Sequence, residues 1–134
     1  MKLEAIIEKA KDGGISIHSP QVKGVYAAAP TEEEAKAEFV EMLDEMAEDI
    51  LDNTGALPQW KRPGGYDIDY TYTLSGFFEA FPFINASELA LTIGVNPSLM
   101  RRYKSGQSSV SKRQKEFIQT QFNHVVERMQ AVKF

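Results

Sequence analysis

The stretch from Ile84 to Gly106, INASELALTIGVNPSLMRRYKSG, constrains this chain more than any other. Its punctuation is that of two short helices joined by a tight turn. Asn85 or Ser87 offers a side-chain oxygen to the orphan amides of a helix start. Leu89, Ala90 and Ile93 recur on one face at helical spacing, and Ala90 is small enough for a crossing helix to approach. Gly94 suits the left-handed residue that ends a helix. Asn96 then caps a second helix, with Pro97 at its first position, where no N–H is required. Met100 and Tyr103, three apart, belong inside, and Gly106 closes the segment. A helix-turn-helix requires a locked helix pair, a glycine-type turn and an outward second helix that can enter a DNA groove. All three are written here, so the sequence predicts sequence-specific DNA binding in its carboxy-terminal third.

What remains outside is Ser98, Arg101, Arg102 and Lys104, with Asn96 and Gln107 at the ends. Arginine bonds two acceptors of guanine at once, while lysine and hydroxyl groups hold phosphates. A plain helical hairpin with a solvated basic face is the competing reading. Caps, glycine and proline falling in register together favour the helix-turn-helix.

Charge divides along the chain. From Met1 to Ile84 there are 7 Lys and Arg against 16 Asp and Glu, a balance of −9; from Asn85 to Phe134 there are 8 against 3, a balance of +5. Such a swing suits a molecule whose back half meets a polyanion. The acidic front repels nucleic acid, so its expected partner is protein. The 134 residues hold no cysteine, which removes disulfides and thiolate metal sites. No signal-peptide pattern and no membrane-length apolar run is visible, and the expectation is a cytoplasmic protein with no membrane partner.

The front half alternates. Lys2–Lys9, Ile15–His18 and Val22–Ala29 read as three strands, with Lys11-Asp12-Gly13-Gly14 and Ser19-Pro20-Gln21 as turns. Thr31 followed by Glu34 is a capping box, and the glutamates favour the positive end of the helix dipole. Ala35, Phe39, Met42, Leu43, Met46 and Ile50 form one apolar stripe to lie on the strands, and Asp52-Asn53-Thr54-Gly55 stops the helix. A loop rich in proline and glycine follows. Tyr66, Ile68, Tyr70 and Tyr72 then alternate as a fourth strand. Leu74–Phe81 reads as a helix capped by Ser75, the first of a small helical domain. Ser108 or Ser109 caps a long last helix, whose seam of Ile118, Phe122, Val125, Met129 and Val132 packs on the helix pair or on a second subunit.

The opening KDGGISIHSPQVKGVYAAAPTEEEAKAEF resembles the amino-terminal domain of HicB antitoxins. The matching elements are Asp12-Gly13-Gly14, Pro20, Gly24 and Thr31-Glu32-Glu33-Glu34-Ala35. Where that family carries Leu-Pro-Gly-Cys, this chain reads Gln21-Val22-Lys23-Gly24-Val25. The back resembles the phage-repressor type of helix-turn-helix found in some HicB proteins. The resemblance implies an α+β chain: a partial ribonuclease H-like βββαβ domain over residues 1–73, without catalysis, and a small all-α helix-turn-helix domain over 74–134. It implies an antitoxin that neutralises a HicA-type mRNA-cleaving toxin and, as a homodimer or higher oligomer, represses its own operon. In the repressor register Pro97, Ser98 and Arg102 face base edges, and Asn96, Lys104 and Gln107 face phosphates.

Two other classes compete. An orphan DNA-binding regulator would keep the fold without a toxin. A ribonuclease H-like nuclease would need carboxylates converging on Mg²⁺, and only Glu4, Glu8, Asp12, Asp67 and Asp69 are available. Their strand positions give no cluster. His18 and His124 lack an evident acid or nucleophile partner. The sequence therefore predicts no catalytic residue, no metal and no cofactor.

Overall fold

Residues 2–134 are described by the computed structural model. It is an α+β chain of four strands and five helices, in two compact units that divide between Phe81 and Pro82.

In the first unit, β1 (Leu3–Lys9), β2 (Ile15–Ser19), β3 (Val22–Ala29) and β4 (Ile68–Tyr72) form one sheet in the order β3-β2-β1-β4. The first three strands are an antiparallel meander, and β4 lies parallel to β1. A parallel partner requires a long crossover; α1 (Glu32–Thr54) supplies it. Side chains alternate across a strand, so Leu3, Ala5 and Ile7 enter the core together. Ile7 pairs with Ile17, and Ile17 with Ala27, which extends the apolar face over three strands.

The helix α1 brings Ala35, Phe39, Leu43 and Ala47 to that face, four residues apart. Met42, Met46 and Ile50 flank this ridge, half-buried. Thr31 caps the helix as expected, its hydroxyl accepting the Glu34 amide at 3.2 Å. Gly55 ends it with φ of 80°, in the left-handed region that glycine tolerates. The tyrosine face of β4 turns toward α1. Tyr66 Oη donates to the Asp44 carboxylate at 2.5 Å, Tyr72 Oη donates to Glu32, and Lys36 Nζ lies 4.5 Å from the Tyr70 ring centroid.

The helix at Leu74–Ala80 (α2) belongs to this unit, not to the helical one, so the boundary lies eight residues beyond the expected 73/74 division. Its N-cap is Thr73 rather than Ser75: Thr73 Oγ1 accepts the Gly76 amide at 3.1 Å. Ser75 instead reaches the sheet, accepting the Lys9 amide at 3.3 Å, and Glu79 accepts the Gly14 amide at 3.0 Å. A helix that completes strand-end amides is bound to the sheet more firmly than propensity alone reveals.

In the second unit, α3 (Ala86–Ile93), α4 (Pro97–Ser105) and α5 (Lys112–Gln130) follow one another. Ser111, not Ser108 or Ser109, caps α5, accepting the Gln114 amide at 3.2 Å; the two earlier serines fall in the loop before it. Of the expected seam only Ile118 is buried, while Met129 and Val132 remain 64% and 55% exposed.

Two measurements check this packing. A Cβ on Gly76 would lie 2.2 Å from the Ile7 carbonyl oxygen, so Gly76→Ala is expected to cost about 1–3 kcal/mol, as overpacking does, in a urea titration. Burial first, then the hydrogen bond to Glu32, pushes the Tyr72 hydroxyl up to about 12. The unfolded phenol ionises near 10. The folded value is the higher one, so its stabilisation is complete below about pH 10 and is lost as pH rises through 12. Tyr72→Phe is expected to flatten the stability profile in that window.

Candidate nucleic-acid interface

Two helices and three residues between them build the site. Asn85 caps α3 by accepting the Glu88 amide at 3.0 Å, which decides between the two expected caps. Gly94 ends α3 at φ 83° and ψ 31°. Its amide and that of Val95 both donate to the Ala90 carbonyl at 2.9 Å, and Val95 is buried. Asn96 turns the chain into α4: its Oδ1 accepts the Ser98 and Leu99 amides at 2.9 and 3.1 Å. Pro97 takes the first helical position, where its missing N–H costs nothing.

Burial then sorts the side chains of α4. Met100 and Tyr103 are buried, as are Ala90 and Ile93 of α3, and the two helices pack on one another. A helix advances about 100° per residue, so filling the inside with Met100 and Tyr103 sends Ser98, Arg101, Arg102 and Ser105 to the far side. All four are exposed. Lys104 lies exposed on the flank of that face, and Gln107 follows the left-handed Gly106.

The two arginines differ. Arg101 is tethered, with Nη1 donating to Ser87 Oγ at 2.8 Å and Nη2 to Ser98 Oγ at 3.0 Å. Ser87 thus links α3 to the guanidinium. Among the described residues the Arg102 and Lys104 side chains make no hydrogen bond or ion pair. Ser105 is the outward residue that sequence reading passed over. Its spacing of seven from Ser98 was the available signal; its hydroxyl now donates to the Arg102 carbonyl at 3.1 Å.

The nuclease candidates do not assemble. Glu4 and Asp69 are register partners on β1 and β4, but no group of three or more His, Asp or Glu among the described residues is placed to hold a metal ion. His18 does have an acidic neighbour, contrary to the sequence reading: Glu8 Oε1 lies 3.5 Å from its Nδ1. They sit on adjacent strands, two positions apart in register, which a scan along the chain does not bring together. No helix among the described residues is long and apolar enough to cross a membrane.

Comparison with protein-family models, with curated proteins and with solved structures gave no match for this chain.

The site depends on its underside. Met100→Ala removes a side chain with no exposed surface and is expected to destabilise the helical unit by about 2–5 kcal/mol, read as an earlier melt in circular dichroism, without removing any outward group.

Proposed function

We propose that the chain is a HicB-type antitoxin and transcriptional repressor that binds operator DNA through α3 and α4 as a helix-turn-helix. The observation that carries this reading is the pairing of a buried Met100–Tyr103 underside with an outward Arg101–Arg102 face. The left-handed Gly94 and the proline-started α4 support it. In this reading α4 is the recognition helix. Arg102 reads a base edge, Arg101 is the positioning residue that fixes Ser98 and Ser87, and Lys104, Asn96 and Gln107 meet phosphates. A homodimer sets two such helices one DNA turn apart on a near-palindrome.

The first unit, in this proposal, is a ribonuclease H-like βββαβ scaffold that has lost catalysis and serves to hold a small basic toxin ribonuclease. Its support is the strand order, the Thr31 cap of α1 and the carboxylates exposed along that helix. A surface of one sign steers and orients a partner of the other sign.

The test uses the full chain and two duplexes: the DNA immediately upstream of its own coding sequence, and a scrambled duplex of equal composition. The wild type is expected to prefer the upstream duplex, with affinity falling steeply as salt rises. Arg102→Ala is expected to lose about 1–3 kcal/mol on that duplex and to relax the preference. Equal affinity of the wild type for both duplexes discards the repressor. Failure of the chain to co-purify with the product of the adjacent reading frame discards the antitoxin while leaving a regulator.

A further inference from the structure

The sheet has a second face, and its chemistry differs from the rest of the first unit. Ile7, Ile17 and Ala27 point to the α1 side. Alternation therefore sends their neighbours Ile6, His18 and Tyr26 to the opposite side. These three are register partners across β1, β2 and β3, so His18 and Tyr26 are directly opposed residues, with Cβ atoms about 5 Å apart in such a pair. Tyr26 is 53% exposed. Glu8 Oε1 lies 3.5 Å from His18 Nδ1.

Around the rings lies a shallow open depression of about 620 Å³, whose lining includes Lys9, Lys11 and Lys23. The residues before Ile84 hold 7 Lys and Arg against 16 Asp and Glu. Alternation sends Lys9 to the α1 side with Ile7 and with its register partner Ile15; of the remaining charges in the lining, Lys11 and Lys23 stand beside one carboxylate, that of Glu8.

The spacing narrows the ligand. Lys11 stands just before β2 begins, and Lys23 stands just after β2 has ended. Four steps along a strand, from Ile15 to Ser19, span about 13 Å. One phosphate does not bridge that distance; a chain of phosphates does. An exposed tyrosine beside a histidine offers a stacking surface to an unpaired base, which a duplex keeps within its own stack. We propose that this face binds single-stranded nucleic acid, with a base on Tyr26 and His18 and the backbone running between Lys11 and Lys23. This inference does not rest on the DNA-reading role of α4.

The experiment measures fluorescence anisotropy of labelled ten-nucleotide oligo(U) and oligo(dT) with the full chain at low salt. Saturable binding is expected, weakened about tenfold by Tyr26→Ala and retained by Tyr26→Phe, which keeps the ring. The double variant Lys11→Gln, Lys23→Gln is expected to bind more weakly and with a shallower salt dependence. Tyr26→Ala is expected to leave binding to duplex DNA unchanged. Absence of saturable binding overturns the proposal. Binding lost on Arg102→Ala but untouched by Tyr26→Ala overturns it as well, because the strand would then lie on the helical unit. Equal displacement by polyglutamate or by AMP overturns it too, by showing a general anion surface.

Discussion

One side of a nine-residue helix decides what this chain presents. Met100 and Tyr103 take the inside of α4, and the period of the helix leaves the arginines no place but solvent. The turn is built to allow that choice. Left-handed Gly94 reverses the chain, buried Val95 plugs the corner, and Asn96 satisfies the first amides of the new helix. An arginine turned inward would have to shed its hydration without a partner, which proteins avoid. Position and exposure of the cationic groups are thus one fact, with the apolar underside as its cause.

In the first unit the corresponding constraint is the place of β1. It has strand partners on both sides, antiparallel and parallel, and carries three core residues. It is also the strand that α2 approaches backbone to backbone. The parallel pairing forces the chain across the sheet through α1, and that crossing covers one face and leaves the other uneven. The two faces consequently divide the labour of the sheet: one is filled by aliphatic side chains, and the other sets rings and lysines in an open depression.

Local punctuation was highly legible. Thr31, Gly55, Asn85 or Ser87, Gly94, Asn96, Pro97 and Gly106 all mark helix ends in the sequence, and the structure puts helix ends there, with Asn85 taking the first of the paired options. What escaped was anything set by partners distant in sequence. Ser75 has the composition of a cap, yet its hydroxyl serves Lys9, 66 residues away, while Thr73 takes the capping role. The placement of α2 with the sheet follows from the same amides. His18 gains Glu8 only through strand register. On α4 the outward face was read correctly except for Ser105, and the different bonding of Arg101 and Arg102 depended on Ser87, a residue of another helix. Heptad spacing on α5 states which residues share a face and not what lies against them: Ile118 is buried, Phe122 and Val125 are half-buried, and Met129 and Val132 are exposed.

That last helix has a thermodynamic consequence. Nineteen residues long, α5 holds one buried side chain, Ile118, near its beginning. Phe122, Val125 and Val126 beyond it are half-buried, and from Glu127 to Gln130 every residue is exposed, so the last turn has no tertiary support. Its amide protons should therefore exchange along a gradient, slowly around Ile118 and faster with each turn toward Gln130, so that the helix melts from its far end inward rather than all at once.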